Sequence, residues 1–420
     1  MYRFFVCLIA LAVLCIPAST AFAACEEVTI NVTLTVVGQY TDNTTDYNAD
    51  APDAVGNFST GVNITLDNRC TDKVSTSMYL YNFTPIVDVN NADIAVCYAY
   101  ISIEDFVSEG VTLTVGGLSL GWEGRTSLGS GIVSKIDPSN MGSYFVLYAF
   151  PVGMQVKYAF SESTSIELTY SKFIENSGRP GFTNSDDLDL YYVCFNHAID
   201  ESANVFGAFF YWNDQKEVLP GKIWMLDAGI THLMMDGCLD LYGEFVYQGG
   251  TAHAAATDLG AFALNAGCEY TFADVASAPY LGLNVTAYSG AKTGATATAA
   301  YDRYTANMNL TLIAENDYFG QLQNWTPGWM GVKLMGGLKK IDGGKFSADF
   351  IFGYYRAMGD ISPVGRGKGL GYEVDALAEY NYMENLYFVL GLGYFSPDDD
   401  LAGPDPDGVW RVVFAVTAQF

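Results

Sequence analysis

The chain has 420 residues, half of them apolar and 15% aromatic, with a formal net charge of −27. Such a charge excludes nucleic-acid binding, which needs a basic footprint, and docking on anionic lipid surfaces. Only 16% of residues are charged, against ~25% in soluble chains, and no stretch after the N-terminus has the apolar length of a spanning helix, so the remaining route into lipid is a sheet closed on itself.

The chain opens with MYRFFVCLIALAVLCIPASTAFA: a basic start at Arg3, an apolar stretch over 4–16, and Ala21-Phe22-Ala23. This pattern predicts a secretory signal peptide over 1–23 and a single domain over 24–420. The apolar stretch is shorter than the ~20 residues an anchoring helix needs. FAAC places Cys25 where an acylated cysteine would stand, which is the lipoprotein alternative.

From there the chain alternates apolar and polar residues with period two, the mark of strands with two different faces. Eighteen segments show it: 27–40, 56–67, 73–83, 93–103, 111–122, 152–160, 164–174, 187–197, 203–214, 221–234, 238–249, 258–272, 278–290, 328–341, 344–357, 369–383, 386–396 and 409–420. Each is near or above the ~9–11 residues a tilted transmembrane strand needs. Segment 143–151 reads either as a further strand or as loop, so the predicted count is 16 to 18.

Connections after even strands are short (DNRCTD, EDFVSEG, SES, DES, MDG, DGG, MEN), whereas those after odd strands are long (41–55, 123–151, 175–186, 250–257, 291–327, 358–368 and 397–408). This parity is that of short periplasmic turns and long extracellular loops in an outer-membrane barrel. A β-sandwich, the rival architecture, has no reason to sort its loops this way. The fold class is therefore all-β: one closed antiparallel transmembrane β-barrel. Segment 409–420 closes the barrel against 29–38, with Phe420 at the periplasmic rim as an aromatic signal for the barrel-assembly machinery.

Alternation also assigns faces. Tyr372, Val374, Ala376, Ala378, Tyr380 and Tyr382 face lipid, which turns Glu373, Asp375, Glu379 and Asn381 into the lumen. The same logic places Asp67, Glu167, Asp227, Asp240, Glu244, Glu269 and Asp349 inside. Against these ten acids stand four bases, Lys157, Lys333, Lys339 and Arg411. An acid-rich pore favours cations or neutral solutes; the bland alternative is that these carboxylates are only solvated or paired. Loops 123–151 and 291–327 are long enough to fold in as a constriction or lid. The aromatic and amide residues of 315–329 suit sugar stacking or plugging, or else an aromatic girdle at the membrane surface.

Six cysteines follow the predicted cleavage site, spaced without CxxC or any zinc pattern, so no metal site is expected. Cys25 and Cys70 fall at the same end of adjacent strands and are a candidate disulfide. Cys238 and Cys268 fall on opposite faces and are expected not to pair. The three histidines, His197, His232 and His253, sit near a turn, on a strand and in a loop, and no Gly-x-Ser-x-Gly elbow is present. The chain thus reads as a non-enzyme without a cofactor, whose partners are membrane lipid and small solutes; trimer and monomer both stay open.

Two stretches carry a resemblance. GYEVDALAEYNYMENLYFVLGLGYFSPDDDL (371–401) joins a Gly-x-Glu-x-Asp strand, a Glu-Asn-Leu turn and a glycine-aromatic strand ending in Phe-x-Pro. It resembles the last hairpin of the alginate-export and related porin-like outer-membrane family. LTVGGLSLGWEGRTSLGSG (113–131) is similar to that family's glycine-rich fifth strand. The resemblance implies an 18-stranded barrel that conducts solutes passively. The arginine lining of the family's polysaccharide exporters is absent here, which speaks against a polyanionic cargo.

Overall fold

The computed structural model describes residues 27–42, 55–85, 95–122, 147–174, 188–214, 221–252, 257–290, 311–315, 328–359, 367–403 and 406–420. Runs rich in β-branched and aromatic residues fit a pleated, half-buried surface, and strands form where the sequence alternates. The first are β1 (Glu27–Asp42), β2 (Val55–Thr71), β3 (Val74–Pro85), β4 (Ala95–Ile103), β5 (Val111–Gly117), β6 (Leu120–Trp122) and β7 (Leu147–Ala149). Next come β8 (Val152–Ser161), β9 (Thr164–Ile174), β10 (Leu188–Ala198), β11 (Ala203–Asp214), β12 (Gly221–Met234), β13 (Leu239–Ala252) and β14 (Thr257–Thr271). The last are β15 (Pro279–Tyr288), β16 (Trp329–Ile341), β17 (Phe346–Ala357), β18 (Gly369–Met383), β19 (Leu386–Pro397) and β20 (Val409–Gln419).

All of these except β6 and β7 form one 18-stranded antiparallel sheet, each strand pairing with the next in chain order and β20 returning to β1. Closure leaves no free edge, which is what lets a sheet sit in lipid. At the seam the register runs from Thr33↔Gln419 to Asp42↔Trp410, and Val32 and Phe420 exchange two backbone hydrogen bonds of 2.9 and 2.8 Å. The contact therefore spans 32–42 and not the 29–38 read from sequence. Closing a barrel staggers the strands by its shear, so the last strand meets the first displaced along its length.

The sequence reading of 111–122 as a single strand is corrected. The barrel strand stops at Gly117, Leu118 N–H donates to the Pro151 carbonyl at 2.7 Å, and Leu120–Trp122 pairs with Leu147–Ala149 as a separate ribbon. Gly116 makes the bend: its φ is +136°, and a Cβ there would stand 2.4 Å from the Ala99 carbonyl oxygen. Segment 143–151 thus holds a short strand outside the barrel sheet.

Short turns gather at one end and long connections at the other. Asp200 shows how the former are built, accepting hydrogen bonds from Ser202 N–H, Ser202 Oγ and Ala203 N–H at 2.7, 2.7 and 2.9 Å. These bonds favour the ionised carboxyl and hold its pKa below the ordinary aspartate range.

The two faces differ as the alternation requires. Along β20, Arg411, Val413, Ala415 and Thr417 are buried while Trp410, Val412 and Phe414 are exposed. The exposed outer face carries Leu281, Leu283, Leu334, Phe350, Leu390, Leu392 and Phe414 between two rings of aromatics. Tyr158, Phe160, Tyr270, Tyr380 and Tyr382 lie toward the turns; Tyr247, Tyr354, Tyr372 and Trp410 lie toward the loops. Trp410 and Phe420 stand ten residues apart, about 33 Å along a strand, or about 25 Å of height at the usual barrel tilt, which matches the apolar band of outer-membrane barrels.

Candidate functional site

The inner wall is polar and acidic in its turn-side half. Asp67 on β2 accepts from Ser77 Oγ at 2.6 Å. Glu167 on β9 accepts from Tyr192 Oη at 2.8 Å and Gln155 Nε2 at 2.9 Å, and Lys157 is its cross-strand partner. Asp227 on β12 stands diagonally across from Glu244 on β13, opposite Val246 in the register. Asp240 stands directly across from Glu269, which pairs with Lys339. Lys339 Nζ also lies 5.2 Å from the centre of the Tyr280 ring, and Tyr280 Oη donates to Asp349 at 2.7 Å. Glu379 on β18 is buried, and Asn381 beyond it is half-buried.

The loop-side half is filled. Trp212, Tyr288, Trp329 and Tyr355 are fully buried, with Trp329 packed against Tyr288 at 5.3 Å and Tyr355 at 6.1 Å between ring centres. Trp329, at the end of the aromatic 315–329 stretch, therefore belongs to the interior and not to an outer girdle.

Residues Thr311–Glu315 of the longest loop lie inside the barrel, pinned to its wall. Glu373 accepts from the Ile313 and Ala314 backbone N–H groups at 2.6 and 2.8 Å, and Asp375 from Leu312 N–H at 3.0 Å. Arg411 Nη1 donates to the Leu312 carbonyl at 2.6 Å, and its Nε donates to Thr41 Oγ1 at 2.9 Å. Thr311 Oγ1 and Tyr355 Oη share a hydrogen bond of 3.0 Å. At the far end Glu315 pairs with Lys333, which also donates to Thr286 Oγ1 at 3.2 Å. A backbone that enters an apolar interior leaves N–H groups without strand partners, and each must find an acceptor. Here the wall carboxylates are those acceptors.

Gly393 on β19 makes the room. A Cβ at this position would lie 2.8 Å from Asp375 Oδ1 and 3.2 Å from both Ile313 Cδ1 and Leu312 Cβ. Leu118 and Leu120, from the start of the other long loop, are buried in the same apolar cluster as Leu312–Ala314 and the wall residues Leu190 and Phe210. The longer of the two loops read from sequence as constriction candidates thus sends described residues into the interior, where Leu118 and Leu120, which precede the other candidate 123–151, join them.

Sequence reasoning missed the anchoring partners: Glu315, Thr311, Tyr355 and the Gly393 cradle. Glu315 lay in a stretch read for its aromatics, and backbone donors give no signal in a side-chain pattern. Asp214, buried at the loop-side end of β11, was missed as well. His197 Nδ1 shares a 2.8 Å hydrogen bond with Thr164 Oγ1 near a turn, and His253 lies outside the described residues. Among the described residues no three His, Cys, Asp or Glu side chains converge as a metal site. Cys70 accepts from Asn68 Nδ2 at 3.6 Å, while Cys25 lies outside the described residues. Cys238 and Cys268 are unbridged thiols. The segment read as a signal peptide also lies outside the described residues.

No family model matches the chain, and no curated protein matches it. Solved structures do. OccK8 (OprE) of Pseudomonas aeruginosa superposes with a TM-score of 0.60 at 11% identity, over 94% of this chain and 98% of that one. The outer membrane protein OprD of the same organism gives 0.57 at 11% identity over 94% of each chain. OccAB4 of Acinetobacter baumannii gives 0.57 at 13% identity, over 94% of this chain and 99% of the other. At such identities the likeness shows the fold: a porin-like 18-stranded barrel.

Proposed function

We propose that the chain is an outer-membrane channel for passive diffusion of small hydrophilic solutes, favouring cations or neutral molecules. The observation that carries this reading is a closed barrel, apolar outside and acid-rich inside, whose lumen is narrowed by a loop segment anchored to its wall. Eighteen strands enclose more than side chains alone need to fill, and the barrel's likeness to OprD, an outer membrane protein, agrees with the location. Export through a signal peptide at 1–23, insertion by the barrel-assembly machinery, and a Cys25–Cys70 disulfide belong to the same reading. The chain works without cofactor or catalysis, as monomer or trimer.

Lumen charge supports the cation preference. Glu269 is matched by Lys339 and Glu315 by Lys333, Lys157 stands opposite Glu167, and Arg411 donates to the Leu312 carbonyl and to Thr41 Oγ1. Asp227, Asp240, Glu244, Asp349 and Glu379 belong to an inner wall to which the alternation gives ten acids against four bases. A second reading, substrate-specific export of the alginate-export type, rests on the resemblance of 371–401; the acid excess confines it to neutral glycans.

Purified barrel in planar bilayers tests the channel reading. Stable unitary conductance is expected, and silence at every voltage in a folded, heat-modifiable preparation contradicts it.

A further inference from the structure

We propose that Tyr79, Tyr81, Tyr98 and Tyr100 form a saccharide-binding ladder on the lumen wall, taking neutral sugars whose ring faces stack on the tyrosines. The four lie on the inner face of β3 and β4. Met78 and Ile101, beside them in the chain, are exposed on the outer face, whereas Ser77, opposite Tyr100 in the register, is buried and donates to Asp67 inside. Tyr79 stands directly across from Tyr98, with ring centres 5.4 Å apart. Tyr81 extends the run from Tyr79 at 6.5 Å and Tyr100 from Tyr98 at 5.6 Å, and successive planes lie within 25° of each other. Tyr81 is toward the loops and Tyr100 toward the turns, so the ladder covers about 13 Å along the strands. Phe150 adds a fifth ring, 6.4 Å from Tyr79 and 5.9 Å from Tyr98.

Accessibility sets these rings apart from Trp212, Tyr288, Trp329 and Tyr355, which are fully buried; all four ladder tyrosines are half-buried and keep surface open to the lumen. Their border is polar and uncharged. Thr65 and Asn63 stand across from Tyr79 and Tyr81, and Asn31 and Thr33 follow on the next strand. At the turn-side end a cavity of about 310 Å3 is lined by Tyr100, Ser77, Asp67, Arg69, Lys73 and Glu104, which is within the size range of small-molecule sites. Acids and bases share that cavity, so it selects neither sign of ion. Apolar rings bordered by amides and hydroxyls match a molecule with C–H faces and hydroxyl edges, which is the surface of a sugar. A cation held by aromatics is met by ring faces turned toward it, whereas near-parallel planes make a strip. The inference deepens the channel reading and rests on it for access along the lumen.

The test is equilibrium binding of maltotriose and of cellotriose to the full-length, detergent-folded barrel. Saturable binding of at least one is expected, with Tyr79→Ala and Tyr98→Ala each weakening it at least ~5-fold. Tyr79→Phe and Tyr98→Phe keep the rings and should hold affinity within ~2-fold, and Tyr380→Ala on the outer face should leave it unchanged. Folded wild-type barrel that binds neither sugar overturns the proposal. Folded alanine variants that bind as well as wild type overturn it too, as does binding of tetramethylammonium in place of both sugars, since the rings would then serve a cation. Conductance of the same preparation separates the two readings: a conducting barrel without saccharide binding loses the ladder alone, and a silent barrel that binds saccharide loses the channel alone.

Discussion

Replacing Glu373 with alanine is expected to raise the unitary conductance several-fold and make the open level noisy. Glu373 takes two backbone N–H groups of the internal segment, those of Ile313 and Ala314. Without it both donors are buried and unsatisfied, at about 1–3 kcal/mol each. A loss of about 3 kcal/mol lowers the ratio of pinned to released segment by roughly 100-fold. Arg411 and the Lys333–Glu315 pair still tether its two ends, so the segment should fluctuate and not vanish from the lumen. Gly393→Val tests the same point without touching charge, because its side chain occupies the space of Leu312 and Ile313. Conductance unchanged in both variants would mean that Thr311–Glu315 does not narrow the ion path.

Phe420→Asp should sharply lower the amount of barrel assembled in the outer membrane, with little effect on the stability of the barrel that does form. The ring is 75% exposed on the outer face, and the residue's fold contacts are two backbone hydrogen bonds with Val32, which any residue makes. The position lies at the turn-side rim, where charged side chains cost ~0–1 kcal/mol and not the ~2–4 kcal/mol of the midplane. The loss is thus assigned to recognition by the assembly machinery. Quantifying heat-modifiable barrel in cells checks it: undiminished levels contradict the signal reading, and a large drop in unfolding midpoint of the refolded variant contradicts the claim about stability.

The barrel was legible because period-two patterning and loop parity are both properties of the chain read locally. β18 illustrates this: Tyr372, Val374 and Ala376 against Glu373, Asp375 and Leu377 gives the faces without a structure. What escaped is what depends on the third dimension. The break at Gly117 was hidden because LSLGW after it alternates like a strand, and only the approach of Pro151 and Ala149 shows that it leaves the barrel. The partners of the carboxylates Glu373 and Asp375 are backbone groups about 60 residues away in sequence, which no periodicity encodes. The aromatic filling of the loop-side half by Trp212, Tyr288 and Tyr355 was likewise invisible, since inward and outward aromatics look alike in a barrel strand until the register of its neighbours is known.

The most direct test of an acid-lined conducting lumen is the zero-current potential of the purified wild-type barrel across a bilayer with a potassium chloride gradient. A wall with more acids than bases, Asp227, Asp240, Glu244, Asp349 and Glu379 among the acids, predicts that potassium outruns chloride, leaving the dilute side positive, with the potential shrinking as total salt rises and screens the wall. A dilute side that turns negative, showing chloride preferred, would contradict the account.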